Sequence, residues 1–341
     1  MDPGSVDEVG RVPHGSSDDP DVLDFSANVN PELPEGARDA YESAFRESGT
    51  YPPDDYPDYR AAAAGYVGCD AERVVPTAGG LAAIRLAAAT TLSPGDTALV
   101  PFPSFGEYAR EVRLQGATPA FVPHDELLAA DPDEHALAVA CNPNNPTGDA
   151  YDPDALRAFA RRCRAAGTPL LVDEAFLGFT DHPSLAGEPG VVVARSLTKL
   201  FGLPGLRAGF AVAGSGDDGP VPDLGDRLAT ARPAWSLGWP AARVGAASMR
   251  DRAFVERTRE RVAGERARMR ERLAARFDVH DSDAPFLLLD AGEDPSALLA
   301  ECRGRGVVLR DATTFRGLDT HVRVAVKGRA ANDRLLEVLG V

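Results

Sequence analysis

The chain has 341 residues, 44% of them hydrophobic, a length that suits one large domain together with a smaller one. Its net charge of −16 at pH 7 argues against binding to nucleic acid. No apolar run approaches the ~18 residues of a membrane span, so we expect no membrane attachment. The start of the chain is neither basic nor apolar, so we expect no secretory signal.

Residue usage indicates the setting in which the protein works. Of the 36 basic residues only Lys199 and Lys327 are lysine. An acidic surface poor in lysine suits a protein that stays soluble in high salt, and we put forward a halophilic source as a hypothesis. Activity that falls as KCl is raised to molar levels would contradict it. The four cysteines form no C-x-x-C pair, so we expect no metal site and a reduced, cytoplasmic location.

Predicted elements alternate between strand and helix through the first two thirds of the chain. Residues 1–35 are expected to be irregular because of their prolines, and residues 51–59 are expected to form a loop. The pattern then predicts helices over 80–91 and 153–166, and strands over 97–101, 136–141, 169–172, 191–195 and 208–213. This alternation is typical of an α/β domain with a mostly parallel sheet.

The C-terminal third begins with a stretch of about 38 residues that favours one long helix, over roughly 240–277. Strands over 286–290, 307–310 and 322–326 then alternate with helices over 295–303 and 330–339. We therefore expect a large domain over 36–242 and a smaller α+β domain over 243–341. The N-terminal segment, 1–35, is expected to pack near the small domain and the active site.

Lys199 is the residue around which a reactive site is predicted. It follows an apolar strand directly, in Arg195-Ser-Leu-Thr-Lys199, and ligands bind at strand ends in open α/β sheets. A protected lysine can lose its proton and form a Schiff base. The hydroxyls of Ser196 and Thr198 and the guanidinium of Arg207 lie close in sequence and suit a phosphate group. An exposed lysine and a surface ion pair of Arg207 are the ordinary alternatives.

Other strand ends carry residues that fit a planar, phosphorylated carbonyl cofactor. Asp173 ends an apolar strand, where a carboxylate can keep a pyridinium nitrogen protonated, although it could simply cap a helix. Asn145, in Asn142-Pro-Asn-Asn-Pro-Thr-Gly148, can direct its amide at a ring oxygen. Phe105 could stack on a ring or pack in the core. The glycines before the 80–91 helix leave free backbone N–H groups, which form an anion site.

Together these motifs, in this order and spacing, resemble the fold-type I enzymes that use pyridoxal 5'-phosphate, and the match spans most of the chain. The resemblance implies an aspartate-aminotransferase-like fold, a seven-stranded, mostly parallel sheet in the large domain, and a homodimer. It implies Lys199 as the lysine that carries the cofactor, Asp173 on the ring nitrogen, Asn145 on the ring oxygen and Phe105 stacked on the ring. The phosphate would be held by Gly80, Leu81, Ala82, Ser196, Thr198 and Arg207. A tyrosine of the other subunit would reach that phosphate, and Tyr51 resembles it better than Tyr56 does.

Within that class the sequence looks most like threonine-phosphate decarboxylases of cobalamin biosynthesis, with histidinol-phosphate aminotransferases as the alternative. The resemblance lies in His14-Gly15, Asp24–Pro31, Phe105–Tyr108, Asp173–Phe176 and Ala234–Ser236. It implies His14, Asn28, Asn145, Arg310 and Arg323 as contacts for a small phosphorylated amino acid. Transaminating relatives usually carry tyrosine where this chain has Phe176. A regulator on the same fold would need a DNA-binding extension, and none is visible.

Overall fold

The computed structural model describes residues 1–214 and 224–341. Its helices are α1 (Pro3–Val6), α2 (Ala37–Glu47), α3 (Pro57–Val67), α4 (Gly80–Thr91), α5 (Glu107–Leu114), α6 (Pro153–Ala166), α7 (Leu224–Ala231), α8 (Trp239–Arg250), α9 (Arg252–Leu273), α10 (Ser296–Gly304) and α11 (Arg329–Leu339). Its strands are β1 (Leu23–Asp24), β2 (Val74–Thr77), β3 (Thr97–Phe102), β4 (Thr118–Pro123), β5 (Leu137–Cys141), β6 (Leu170–Asp173), β7 (Val191–Ser196), β8 (Gly209–Ala213), β9 (Asp278–Val279), β10 (Phe286–Asp290), β11 (Val307–Val308), β12 (Arg310–Asp311) and β13 (His321–Ala325).

A sheet of seven strands, counted over the described residues, forms the centre of the molecule. Its order is β2-β8-β7-β6-β5-β3-β4, and only β8 runs antiparallel to its neighbours. The middle strands are buried along their length because helices cover both faces of the sheet, as their continuous apolar runs predict. The predicted α/β fold with a seven-stranded, mostly parallel sheet is confirmed.

Two smaller sheets form in the C-terminal part. Strands β12, β13, β10 and β9 make an antiparallel sheet, and β1 pairs in parallel with β11. The N-terminal segment therefore joins the C-terminal part of the chain through Leu23 and Asp24. It also contacts the large sheet, because the backbone N–H of Asn30 donates to Lys199 O at 3.0 Å.

The long helix expected over 240–277 is wrong in one respect, since the chain turns at Asp251. That residue ends α8 and begins α9, and its side chain accepts a hydrogen bond from Phe254 N at 2.9 Å. Aspartate is a preferred N-cap residue, and its capping bond replaces the helical one. Helix α8 packs on α2 and α3 and runs unbroken across the predicted boundary at 242/243, so the division into domains stays a prediction.

Two other expected elements differ from the structure. The predicted strand over 307–310 is divided, because β11 pairs with β1 whereas β12 pairs with β13. The predicted loop over 51–59 ends early, since α3 begins at Pro57, where the missing N–H of proline costs nothing. Among the described residues, no helix is both long enough and apolar enough to cross a membrane.

A buried ion pair fixes the ends of two central strands beside the predicted site. Glu174, which follows β6, is fully buried and lies 2.9 Å from the guanidinium of Arg195 in β7. Its carboxylate also accepts hydrogen bonds from Ser184 Oγ at 2.6 Å and Leu185 N at 2.8 Å. Because both oxygens of Glu174 are engaged, the pair holds Asp173 and Ser196, the neighbours of its two members, at a fixed separation.

Replacing Glu174 with glutamine is expected to lower the free energy of unfolding by about 3–5 kcal/mol, because Arg195 would keep a buried, unpaired charge. Denaturant unfolding of the purified protein measures this. The matched control is Asp181→Asn, which breaks an exposed pair with Arg259 and should leave the midpoint nearly unchanged. Equal effects of the two variants would contradict the assigned role of the buried pair.

Candidate active site

Four neighbouring strands of the large sheet deliver predicted site residues to one edge. Phe105 follows β3, Asn145 follows β5, Asp173 ends β6 and Lys199 follows β7. Because parallel strands present their carboxyl ends on the same side, these residues meet there. All four line one pocket.

The electrostatics of the pocket change Lys199 most. Burial lowers the pKa of its amine to about 8, and the cations of Arg323 and Arg207 act in the same direction. Asp173 opposes these effects. A largely buried lysine with a pKa this near neutrality supplies an unprotonated amine, which is the form that attacks a carbonyl group.

Asp173 is held in a fixed orientation by two donors. Tyr108 donates its hydroxyl to Oδ2 at 2.6 Å, and the backbone N–H of Ala175 donates to Oδ1 at 3.0 Å. Burial raises the pKa of the Asp173 carboxyl, and the hydrogen bond from Tyr108 counteracts that rise. A buried carboxylate in this position is suited to a cationic N–H group and poorly suited to an apolar one.

A second cluster next to the pocket has the composition of a phosphate site. Ser196 Oγ and Thr198 Oγ1 lie 2.8 Å apart, and Arg207 donates to Ala78 O at 3.3 Å. A Cβ at Gly79, which has φ +91°, would lie 2.6 Å from Arg207 Nη2, so only glycine leaves this cradle open. The hydroxyls and the guanidinium therefore fit the phosphate of pyridoxal 5'-phosphate.

The start of α4 contributes to the same cradle. Gly80 lies against Ser196, since a Cβ at Gly80 would be 3.1 Å from the serine Cβ. Gly80 and Leu81 occupy the first turn, where backbone N–H groups have no helical partner. The N–H of Ala82, which was also expected to bind the phosphate, already donates to Gly79 O at 3.2 Å and is therefore less free to do so.

Arg310 and Arg323 enter the pocket from the small antiparallel sheet. They are 8% and 5% exposed, and neither pairs with a carboxylate of residues 1–214 or 224–341. Arg323 donates to Asn145 Oδ1 and, at 3.0 Å, to Ser26 O. Burial lowers the pKa of Arg323, and Arg310 lowers it further. Buried cations without a counter-ion are costly, so the pocket is built to receive anions.

The N-terminal segment brings two predicted contacts into the pocket. Asn28 is 4% exposed, and its Oδ1 has no hydrogen-bond partner within the described part of the chain. His14 also lines the pocket, with its ring 5.8 Å from that of Phe105. Both polar groups are therefore available to a ligand.

The two candidate tyrosines occupy very different positions. Tyr51 is 75% exposed and stacks on Trp235 with ring centroids 4.5 Å apart, outside the pocket lining. Tyr56 is 2% exposed and exchanges hydrogen bonds with Leu237, donating its hydroxyl to the carbonyl oxygen at 2.8 Å. A buried hydroxyl that is already hydrogen-bonded within its own subunit is poorly placed to reach another one, and the assignment of Tyr51 stays a prediction.

Two residues in the first turn of α5 were assigned no role from the sequence. Tyr108 and Glu107 were quoted only as part of a motif, yet one orients Asp173 and the other bonds to His14. Phe105 and Tyr108 are three residues apart and their rings meet edge to face at 5.5 Å. With a helix predicted here, the three-residue spacing of these two aromatic residues would have indicated that Tyr108 also lies at the pocket.

Residues 20–339 match the family model for aminotransferase class I and II. The chain is 29% identical to histidinol-phosphate aminotransferase 2 of Archaeoglobus fulgidus, over 94% of this chain and 93% of that protein. It is 30% identical to threonine-phosphate decarboxylase of Salmonella typhimurium, over 98% and 94%. The crystal structure of histidinol-phosphate aminotransferase from Sinorhizobium meliloti in complex with pyridoxal-5'-phosphate superposes with a TM-score of 0.82, at 20% identity and over 92% and 89% of the two chains.

The fold and the pocket thus define a fold-type I enzyme whose cofactor is pyridoxal 5'-phosphate. More particularly, the chain belongs to the aminotransferase class I and II family.

Proposed function

We propose that this enzyme decarboxylates L-threonine O-3-phosphate to (R)-1-aminopropan-2-yl phosphate, a reaction that serves cobalamin biosynthesis or salvage. The observation that carries the proposal is the pair of buried arginines, Arg310 and Arg323, without carboxylate partners among the described residues. Two buried cations suit a substrate with two anionic groups, here a carboxylate and a phosphate. Histidinol phosphate carries a phosphate and no carboxylate.

Cofactor and substrate would be held by different sets of residues. Lys199, Asp173, Asn145 and Phe105 would bind the ring of the cofactor, and the cradle of Gly80, Leu81, Ala82, Ser196, Thr198 and Arg207 would bind its phosphate. Arg310, Arg323, His14, Asn28 and Asn145 would bind the substrate. Pyridoxal phosphate, when bound, supplies an electron sink for the charge left at Cα.

The residues of this chain then decide which bond at Cα breaks. Arg310 and Arg323, by holding the carboxylate and the phosphate at two fixed points, would determine which group at Cα is aligned for cleavage. In the proposed reaction that group is the carboxylate, which leaves as CO2. The side chain of Lys199, which lies in the same pocket, would in its protonated form donate a proton to Cα.

Phe176 supports decarboxylation over transamination. It lines the pocket, is 5% exposed and packs edge to face on Phe286 at 5.1 Å. A phenylalanine here offers no hydroxyl to the ring oxygen, whereas transaminating relatives usually place tyrosine there. Aminotransfer on histidinol phosphate remains the alternative, since a relative of that name is 29% identical over 94% of the chain.

Assembly of two copies is part of the proposal. Large aromatic side chains are exposed on α2 and near Trp235: Tyr41, Phe45, Tyr51 and Trp235 itself. Contact with a second copy would bury them, and Tyr51 of the partner subunit would complete the phosphate cradle. Sedimentation equilibrium is expected to give twice the 36.0 kDa mass of one chain. A monomer at micromolar concentration would contradict this assembly.

The first test is CO2 release from the purified, cofactor-loaded protein supplied with L-threonine O-3-phosphate and no keto acid. We expect sustained release with the visible spectrum of the bound cofactor retained. The matched control is L-threonine, which lacks the phosphate. No CO2, together with conversion of the cofactor to pyridoxamine phosphate by histidinol phosphate, would overturn the proposal in favour of the aminotransferase.

A further inference from the structure

Residues 10–17, here called the N-terminal arm, form one wall of the pocket. Val12, Pro13, His14 and Gly15 all line it. The arm contains no helix or strand, and it makes no backbone–backbone hydrogen bond to the described residues. Its position therefore depends on side chains that reach it from the body of the protein.

Four such side chains hold the arm, and one of them, Asp24, accepts a hydrogen bond from Ser17 N at 3.1 Å. Arg110 Nε donates to Gly10 O at 3.0 Å, and Arg310 Nη2 donates to Pro13 O at 2.9 Å. In the remaining contact, His14 Nε2 lies 3.0 Å from Glu107 Oε1. Of these four contacts, only that of Glu107 holds a side chain of the arm rather than its backbone, so Glu107 is the one that orients a functional group.

Glu107 is a charged residue in a buried position. It lies in the first turn of α5 and is 4% exposed, although a buried carboxylate is costly. Its second oxygen has only a long contact, 3.3 Å, with Arg110 Nη1. The carboxylate thus faces the arm, and it fixes a histidine whose side chain is otherwise half exposed. The other ring nitrogen, Nδ1, has no partner in the described part of the chain and remains free for a ligand.

The arm is also coupled to anion binding through Arg310. The same guanidinium that holds Pro13 lines the pocket without a carboxylate partner among residues 1–214 and 224–341. An anion that orders Arg310 therefore orders the arm, and an ordered arm keeps His14 beside the anion. Glu107 completes this arrangement from the side of α5.

We propose that Glu107 is a specificity-determining positioning residue. It holds His14 and the N-terminal arm against the pocket, so that the imidazole meets the phosphate of a phosphorylated amino acid. The inference rests on the proposed function in one respect, since it takes the second anionic group of the substrate to be a phosphate.

The test is ligand binding to the cofactor-loaded protein, followed by the change in its visible spectrum. For Glu107→Ala we expect the dissociation constant of O-phospho-L-threonine to rise about 10- to 100-fold, which corresponds to the loss of a hydrogen bond to a charged group. The dissociation constant of L-threonine should change less than about twofold. His14→Ala should have the same effect, and the double variant should be no weaker than either single one. Glu107→Gln keeps an acceptor oxygen and should lose less affinity than Glu107→Ala.

Glu111→Gln is the matched control, because Glu111 lies one turn further along α5, is also buried, and binds Arg85 through both oxygens. Glu111 makes no contact with the arm itself and meets Arg110 at the long distance of 3.4 Å. It should leave both dissociation constants within about twofold of wild type. Equal losses for both ligands, or additive losses in the double variant, would overturn the proposal and leave Glu107 a structural role only.

Limited trypsin digestion gives a second measurement that needs no binding or turnover. Arg11 lies in the arm, and the next basic residue is Arg38. We expect Glu107→Ala to be cut after Arg11 faster than wild type, and unchanged cleavage would count against the proposal. Selective binding of O-phospho-L-threonine without CO2 release would support the role of Glu107 while overturning the proposed reaction. Binding without any preference for the phosphate in wild type would overturn both.

Discussion

Replacing Lys199 with alanine is expected to reduce CO2 release from L-threonine O-3-phosphate by about 100- to 10,000-fold, from the loss of proton transfer alone. Loss of the covalent attachment of the cofactor adds to this effect. The amine has no substitute in the pocket, because the only other lysine, Lys327, lies near the ring of Phe25 and outside the lining. Single-turnover measurements on protein saturated with cofactor separate the chemical step from weaker cofactor binding.

The pH dependence of cofactor capture follows from the same lysine. Its pKa is lowered to about 8, and the unprotonated amine is the reactive form. The rate at which cofactor-free protein forms the covalent adduct should therefore rise about tenfold per pH unit below 8 and level off above it. Stopped-flow absorbance measures that rate. A rate that still rises through pH 10 would show that burial does not perturb this amine.

The two lysines offer a direct control. Borohydride reduction of the loaded protein should label a single peptide, the one that contains Lys199. Lys327→Arg should retain both the label and the activity, whereas Lys199→Ala should lose both. A label on Lys327 in wild-type protein would contradict the assignment.

Replacing Arg323 with glutamine is expected to weaken substrate binding by about 2–5 kcal/mol, roughly 30- to 5,000-fold in the dissociation constant, because a buried anion would lose its charge-assisted partner. Arg323→Lys should recover part of the loss, since lysine retains the charge but not the planar pair of donors. The effect should fall on the dissociation constant and on kcat/KM, measured with O-phospho-L-threonine.

The position of Arg323 extends the expected effect beyond the substrate. Its guanidinium lies over the rings of Phe286 and Phe315, at 5.0 and 5.8 Å from their centroids, and binds Asn145. Glutamine would release the Asn145 amide, so cofactor binding should weaken as well, by a smaller factor. Arg316→Gln is the control, because Arg316 lies over Phe121 on the surface and outside the pocket lining. Losses of similar size in both variants would point to net charge rather than to a clamp.

Much of the site was predictable because its residues are adjacent to strong strand signals. Buried runs such as Leu170–Asp173 and Val191–Ser196 are apolar and bounded, so the residues that follow them are placed at one edge of the sheet. The order of strands brings β3, β5, β6 and β7 together, and each of them ends at or just before at least one predicted residue. The pairing of Arg323 with Asn145 and Ser26 could not be foreseen, because it joins residues about 178 and 297 positions apart.

Three of the elements that were missed have a local reason in the sequence. Strands β2 and β4 contain prolines, Pro76 in one and Pro119 and Pro123 in the other, and proline within a short run argues against a strand. Helix α5 is eight residues long and carries four charged side chains, so its periodicity was hidden. For the two strands, tertiary packing outweighed local preference: β2 is held by its pairing with β8, and β4 by its pairing with β3.

The prolines of β2 and β4 have a consequence for how the protein assembles. These two strands are the outer edges of the large sheet, and each proline lacks the N–H that an added strand would need. Neither edge therefore offers an unbroken row of backbone N–H and C=O groups with which a strand of another copy could pair. This disfavours polymers in which the large sheets of many copies join edge to edge. Growth by strand addition at these two edges is disfavoured, so a stable contact between copies beside the large sheet is left to side chains on helices and loops.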